Sequence, residues 1–335
     1  MSATDGTTAP PFLFTVIVPT RGDEARLGAL LDALERQTLG RARWELVLAL
    51  DGAALAPALA ARVDAIGGRA VGLERRAGPG AARNAGAKAA SGDWLAFTED
   101  DVTPAPDWLA RAAARIEAEP ALEVIEGLTV KPGGRPVHRQ SQEHPLYLPT
   151  NLFVRRATFE RVGGYCEDFY DPASGIYFRE DTDFGFALEA AGARIGREPA
   201  AVVTHPEEHA GYLGPLRWAR RHEMDPLLAA RHPARFRARV EVHRLGPFVV
   251  RRPIARASIA FVLTLALALG SWLLGACGLA LAWLAVAALA FLPVWAKWRL
   301  DPLRLPVCLL VPFVLVIALA RGAQRAGRRA TNAKF

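Results

Sequence analysis

The chain has 335 residues, enough for one full-size core and a smaller appendage, and its three cysteines, Cys166, Cys277 and Cys308, form no CxxC pair, which argues against disulfides and a zinc site. The net charge of +7 is unevenly placed: residues 1–216 hold 22 Lys and Arg against 30 Asp and Glu (net −8), residues 217–256 hold 11 against 3 (net +8), and residues 257–335 hold 8 against 1 (net +7). A basic stretch beside apolar segments, with no recognised nucleic-acid-binding motif, points to anionic lipid headgroups and away from nucleic acid.

Residues 1–11 are polar and are read as a disordered N-terminus without a cleavable signal peptide, so the part that follows is expected in the cytoplasm. Phe12 to Val18 is a β-branched apolar run closed by Pro19, the pattern of a buried strand. Leu27, Leu30, Leu31 and Leu34 have the period of an amphipathic helix over Glu24 to Gln37. Trp44 to Leu50 reads as a second buried strand ending at Asp51-Gly52, Ala56 to Ile66 as a helix, and Arg69 to Leu73 as a short strand. Gly80 to Ala90 is Ala-rich and helical, and Trp94 to Thr98 is the next strand. Strand and helix in alternation predict an α/β fold, a mostly parallel sheet with helices on both faces. In such sheets ligands sit beyond the carboxyl ends of the strands. Here those ends carry Pro19-Thr20-Arg21, Asp51-Gly52 and Glu99-Asp100-Asp101.

After residue 120 the alternation fades. Lys131 to Pro149, rich in Pro, Gly and His, reads as a mobile loop. Asn151 to Arg156 is expected as a strand, Ala157 to Val162 as a short helix, Thr182 to Ala191 as a helix opened by Glu180-Asp181, and Ala201 to Thr204 as the last strand. Residues 213–252 mix apolar residues with many arginines, as in helices lying on a membrane surface, and His209, His222 and His232 read as surface residues there. Ile254 to Leu274 and Cys277 to Ala296 are long and apolar enough to form a transmembrane hairpin turned at Gly275 to Gly278. A third apolar segment, Leu305 to Ala320, holds Pro306 and Pro312 and precedes the basic tail 321–335. If it crossed the membrane, Arg321, Arg325, Arg328 and Arg329 would face the wrong side for the positive-inside rule, so it is re-entrant or interfacial, or the hairpin is not a hairpin.

Three acidic residues together at the end of a buried strand repel one another and call for a cation between them. Glu99-Asp100-Asp101 can also be read as an acidic turn before the helix that starts at Asp107, and Glu180-Asp181-Thr182-Asp183 as an acidic cap to its own helix. Gly78-Pro79-Gly80-Ala81-Ala82-Arg83 invites comparison with a dinucleotide fingerprint, but Arg83 occupies the third glycine position and is too bulky for that packing. A helix N-terminus with Arg83 nearby can instead meet a nucleotide.

In chain order, Val16-Ile17-Val18-Pro19-Thr20, Asp51-Gly52, Gly78-Pro79-Gly80-Ala81-Ala82-Arg83-Asn84, Glu99-Asp100-Asp101, Asn151-Leu152-Phe153-Val154-Arg155-Arg156, Val162-Gly163-Gly164-Tyr165 and Arg179-Glu180-Asp181-Thr182-Asp183 resemble the family 2 glycosyltransferases. The match covers roughly residues 14–205. It implies the GT-A fold, a nucleotide-diphospho-sugar-binding α/β domain expected over residues 12–212, and an inverting transfer of sugar from a nucleotide-diphospho-sugar to a hydroxyl or lipid-linked acceptor. The resemblance carries Pro19, Thr20 and Arg21 to the nucleotide pocket, Asp51 to the base, and Arg83 to the base and phosphates. Glu99, Asp100 and Asp101 correspond to the DXD-type motif, with Asp101 holding Mg²⁺ or Mn²⁺ and His205 completing the metal shell. Asp181 corresponds to the catalytic base, with Glu180 beside it. Leu50 replaces the first acidic residue of a pair, Glu99 replaces an Asp, and Arg21-Gly22-Asp23-Glu24 departs from the usual continuation. Together with the apolar hairpin, this implies a membrane-anchored enzyme of cell-envelope glycan or glycolipid synthesis in the inner (cell) membrane, its catalytic domain cytoplasmic. The rivals are a nucleotidyltransferase on a related sheet, which usually wants an early phosphate-binding lysine that this chain lacks, and a non-catalytic membrane scaffold.

Overall fold

The computed structural model describes residues 12–137, 147–207, 210–245 and 248–332. It consists of two compact units, one ending at Glu207 and one beginning at Glu208.

In the first unit β1 (Phe12–Thr20), β2 (Trp44–Asp51), β3 (Arg69–Leu73) and β4 (Gly92–Phe97) lie parallel in the order β3-β2-β1-β4, linked by α1 (Glu24–Glu35), α2 (Pro57–Ala65) and α3 (Pro79–Lys88). The chain then forms β5 (Thr103–Pro104), α4 (Trp108–Ala118), β6 (Val124–Val130), β7 (Leu152–Arg155), α5 (Arg156–Arg161), the short ladder of β8 (Tyr170–Asp171) with β9 (Ile176–Tyr177), α6 (Glu180–Ala190) and β10 (Ile195–Thr204). From β4 the sheet continues β7-β6-β10-β5, eight strands among the described residues. In this half β7 runs antiparallel to β4 and β6, β10 parallel to β6, and β5 antiparallel to β10, so the parallel order expected from the first hundred residues gives way to a mixed sheet.

Alternation along β1 explains the two covered faces. Phe14, Val16 and Val18 point into one apolar cluster with Leu27, Leu30, Leu31 and Leu34 of α1 and with Trp108 and Leu109 of α4. Ile17 points to the other face, where Phe97, Phe159, Tyr165 and Phe184 gather under α3, α5 and α6. Each leucine so buried contributes about 1.5–3 kcal/mol through the area withdrawn from water. Asp23 caps α1 by accepting from the Arg26 N–H at 3.1 Å, which fixes where the first helix leaves the sheet's carboxyl edge.

Two expectations need correcting. The strand β6 was not anticipated, because Glu126 and Gly127 interrupt its apolar run. Glu126 is nevertheless buried, its carboxylate accepting the Tyr147 backbone N–H and pairing with Arg197 at 3.4 Å. The strand β10 begins at Ile195 and not at Ala201, with a register shift between Glu198 and Val202 around Pro199, which has no N–H to donate. Part of the anticipated loop 131–149, residues 138–146, lies outside the described residues, while Tyr147 is buried at its far end.

The second unit opens with three short helices, α7 (Gly214–Arg221), α8 (Asp225–Arg231) and α9 (Pro233–Arg239), then a hairpin of β11 (Val242–Leu245) and β12 (Phe248–Arg251). Three long helices follow: α10 (Pro253–Leu273), α11 (Cys277–Ala296) and α12 (Leu305–Asn332). All three contain stretches long and apolar enough to cross a membrane, with mean hydropathies of 1.8, 2.3 and 2.5. Phe261, Phe291, Val294, Cys308, Val311 and Leu315 form their shared core, while Trp272, Leu273, Leu281 and Leu289 face outward, as apolar side chains do against acyl tails. His222, expected on the surface, is 1% exposed: it sits within hydrogen-bond distance of the Trp218 carbonyl (2.7 Å) and the Glu241 carboxylate (3.1 Å). An imidazole can be buried when both ring nitrogens find partners. His232 is half-buried, and His209 lies outside the described residues.

Candidate active site

The strand ends of the first unit bring several of the anticipated residues together. Thr20, the last residue of β1, donates its hydroxyl to Asp100 at 2.6 Å and accepts the Gly22 N–H at 3.0 Å, so it ties the turn after β1 to the acidic triplet. Arg21 is exposed, and Pro19 is half-buried beside Thr20. The cation that reaches the two aspartates of the triplet is Arg26, in the first turn of α1, with Nη1 3.6 Å from Asp101 and 4.0 Å from Asp100. Sequence reading missed it, although the Asp23 cap that aims the helix was visible three residues earlier.

Asp51, at the end of β2, accepts the backbone N–H groups of Ala77 at 2.6 Å and Gly78 at 3.1 Å through one carboxylate oxygen. It therefore holds the loop that opens α3. Gly78 has φ +91°, and a Cβ there would stand 2.7 Å from the Tyr170 ring, so glycine is required both for the turn and for the close approach. Replacing Asp51 by Ala should cost on the order of 1–3 kcal/mol by stranding two partly buried donors. Urea titration of the purified chain measures this, and an unchanged midpoint would refute the loop-fixing role.

Arg83, on the first turns of α3, is 2% exposed. Its guanidinium lies 3.1 Å from Glu99 and 3.7 Å from Glu180, and 5.3 Å above the Tyr165 ring. One arginine thus connects the acidic group after β4 with the acidic group that opens α6, about eighty positions apart in sequence. Glu99 also faces His205 at 3.9 Å, at the end of β10. Acceptor or donor atoms of Glu99, Asp101 and His205 all fall within 4.8 Å of one another. Two carboxylates and one imidazole at that spacing fit a small divalent cation such as Mg²⁺ or Mn²⁺, the imidazole suiting Mn²⁺. Burial pushes the Glu99 and Asp100 carboxyls above their ordinary values; Arg83 opposes this at Glu99, the Thr20 hydroxyl opposes it at Asp100, and Asp101 adds to it at both. A cation would relieve that repulsion.

Asp181 is half-buried at the start of α6 and accepts from the Thr182 N–H at 2.6 Å and its hydroxyl at 3.1 Å. The neighbouring Glu180 is buried, and burial together with the Asp181 charge pushes its carboxyl up to about 7, against the pull of Arg83. Folding therefore favours the protonated form of Glu180. Between pH 4.5 and 7 the unfolded chain has released this proton and the folded chain has kept it, so stability falls as pH rises through that window and levels off above 7. The gap corresponds to a loss on the order of 3 kcal/mol. Glu180→Gln should remove this component of the slope; identical pH dependence of melting in both proteins would refute the assignment.

Residues 15–183 match the glycosyl transferase family 2 profile. The chain belongs to glycosyl transferase family 2. Among curated relatives it is 33% identical over 148 residues to pre-mycofactocin glycosyltransferase of Mycobacterium tuberculosis, a match covering 38% of this chain and 30% of that protein. It is 38% identical over 165 residues to the succinoglycan biosynthesis protein ExoO of Rhizobium meliloti, covering 43% of this chain and 47% of that one. The chain thus spans less than half the length of these relatives. Among solved structures, the mannosyltransferase PcManGT from Pyrobaculum calidifontis, in complex with GDP-Man and Mn²⁺, superimposes with a TM-score of 0.53 at 21% identity over 94% of this chain and 88% of that one. S. aureus TarS 1–349, in complex with UDP, gives 0.51 at 18% identity over 95% and 91%. At such identities these structures speak to the fold alone, which is GT-A-like.

Within this family 2 chain, then, Thr20, Arg83, Glu99, Asp100, Asp101, Glu180 and His205 are linked by contacts into one constellation at the sheet's carboxyl edge, with Asp181 adjoining Glu180, while Asp51 holds the loop that opens the helix of Arg83. Tyr165 was visible only as part of a Gly-Gly-Tyr turn, yet its ring lies under Arg83, against Phe184 at 4.4 Å between centroids.

Proposed function

We propose that this family 2 glycosyltransferase moves a sugar from a nucleotide-diphospho-sugar to an acceptor hydroxyl with inversion at the anomeric carbon. The observation that carries this reading is the Arg83 bridge between Glu99 and Glu180, which joins a cation-fitting group to the acidic pair that opens α6, Glu180 and its neighbour Asp181. In the transfer the bond from the anomeric carbon to the diphosphate oxygen breaks, and a bond to the acceptor oxygen forms on the opposite side. The acceptor's proton passes to the Asp181 carboxylate, whose half-buried position at the start of α6 suits a general base. Arg83, buried and charged, is placed to meet negative charge on the donor. Glu99, Asp101 and His205 would hold a divalent cation, which when bound supplies Lewis-acid stabilisation of the departing diphosphate. The GDP-Man and Mn²⁺ of PcManGT and the UDP of TarS support a nucleotide-sugar donor and a divalent ion. Incubating the purified chain with radiolabelled UDP-, GDP- and dTDP-sugars and a lipid extract tests the reading; no labelled product with any donor would favour a non-catalytic scaffold.

The second unit supports anchoring in the cell membrane with the catalytic unit on the cytoplasmic side, and the succinoglycan relative supports a role in cell-envelope glycan or glycolipid synthesis on a glycan or lipid-linked acceptor. The exposed Arg217, Arg220 and Arg221 of α7 fit anionic headgroups. Contacts within the unit favour α10 and α11 as a hairpin and α12 as a helix lying along the membrane surface. Lys297, after α11, sits 4.5 Å over the Trp218 ring of α7, so the hairpin returns to where it began. The two ends of α12 then touch the same neighbourhood: Arg304 donates to the Ala210 carbonyl at 3.0 Å, and Arg325 pairs with Glu223 at 3.4 Å. A spanning α12 would carry the arginines of α7 into the hydrocarbon alongside it, at a cost of about 2.5 kcal/mol or more each. A reporter fused at the C-terminus should therefore signal from the cytoplasmic side; an external signal would overturn the surface arrangement of α12.

A further inference from the structure

Tyr165 is 2% exposed, and its ring is fully accounted for by packing. It stacks on Phe184 at 4.4 Å, meets Phe97 edge-on at 5.6 Å, and lies 6.0 Å from Phe159 between centroids. Its backbone is clamped to α3 from both sides: its N–H donates to the Asn84 side-chain oxygen at 2.9 Å, and its carbonyl accepts from the Asn84 side-chain nitrogen at 2.9 Å. Gly164 permits this clamp, since φ there is +68° and a Cβ would stand 2.7 Å from the same Asn84 oxygen.

The hydroxyl is a different matter. It is buried without a hydrogen-bond partner among the described residues, although Arg83, Asp181, Glu180 and Glu99 all act on it electrostatically. Two nitrogens of Arg83, Nε and Nη1, are likewise buried without a hydrogen-bond partner. A phenylalanine would fill the same aromatic cluster without leaving a polar atom stranded, so packing alone does not account for tyrosine here. Three unsatisfied donors on two touching side chains, Tyr165 and Arg83, mark a place that an oxygen-rich ligand completes. Burial pushes the Tyr165 hydroxyl well above the usual phenol range, against the pull of Arg83, so it keeps its proton and acts as a donor and not as a base.

Building on the glycosyl-transfer reading, we propose that the Tyr165 hydroxyl donates a hydrogen bond to a sugar hydroxyl oxygen held between Arg83 and Asp181, making Tyr165 a substrate-contacting residue that helps select the sugar. The hydroxyl belongs either to the transferred sugar or to a sugar-bearing acceptor, and the experiment separates the two.

Tyr165→Phe is prepared as the full chain in detergent. It is assayed with whichever UDP-, GDP- or dTDP-sugar the natural chain turns over best, using water and a lipid extract as acceptors. The variant should melt at the same temperature as the natural chain or higher, because it removes a stranded hydroxyl. Its kcat/KM for transfer should fall by roughly 3- to 10-fold, the loss of one neutral hydrogen bond. A matching fall in donor hydrolysis, with binding of the free nucleoside diphosphate unchanged, assigns the contact to the transferred sugar; a fall confined to transfer assigns it to the acceptor. Transfer kinetics equal to the natural chain's would overturn the proposal, as would an equal weakening of nucleoside diphosphate binding, which would put the contact on phosphate. If the natural chain itself turns over no donor, the glycosyl-transfer reading falls and this proposal falls with it, an outcome distinct from equal rates in the two proteins.

Discussion

Replacing Asp181 by Asn should lower kcat for sugar transfer by about 10²–10⁴-fold, the usual worth of a positioned general base. Donor binding should survive, because Asp181 stands at the start of α6 and its hydrogen bonds among the described residues come from Thr182, its own neighbour. Asn is close to Asp in shape and can still accept from the Thr182 N–H, so the first turn of α6 should keep its geometry. What is lost is the ability to take a proton from an acceptor hydroxyl. Removing one of two adjacent carboxylates should also ease the repulsion that raises Glu180, bringing its carboxyl back toward the ordinary range. The measurement is a steady-state assay beside calorimetry of nucleotide-sugar binding. Turnover near that of the natural chain would eliminate Asp181 as base, and loss of binding in proportion to turnover would make its role structural.

The same constellation shows where sequence reading carries far and where it stops. The first half of the sheet was legible because β1, β2 and β4 are continuous apolar runs that end in polar residues, and a strand buried on both faces has no other pattern. The far half was less so. Glu126 hides β6 because its burial depends on a long-range partner, Arg197, and on the Tyr147 N–H, neither of which periodicity can show. His222 misled for a related reason: an imidazole set among arginines reads as surface until Glu241 and the Trp218 carbonyl are seen to receive it. In the site, Glu99, Asp101, Glu180 and Asp181 stood out as unbalanced negative charge, and chain order supplied their company. Their balance was not visible, because Arg26 reaches Asp101 from a helix whose spacing is read only for its leucines.

Asp101→Ala should abolish the metal dependence of nucleotide binding, a loss of at least about 100-fold in cation affinity given that even outer partners of metal ligands contribute 10- to 100-fold. The effect should exceed that of the neighbouring Asp100→Ala, because the two carboxylates have different jobs. Asp100 accepts from Thr20 at 2.6 Å and so faces β1, whereas Asp101 shares its space with Glu99 and His205. Removing Asp101 also takes one of three carboxylate partners from Arg26, an arginine exposed enough for the pair to be worth only about 1 kcal/mol, so the variant should fold. His205→Ala should weaken Mn²⁺ more than Mg²⁺, since an imidazole suits the softer ion. Calorimetry with nucleoside diphosphate in Mn²⁺, Mg²⁺ or chelator reads all three variants on one scale. If Asp101→Ala binds nucleotide as tightly as the natural chain and keeps the same response to chelator, the cation does not sit among Glu99, Asp101 and His205, and the acidic triplet after β4 must then be balanced by Arg83 and Arg26 alone.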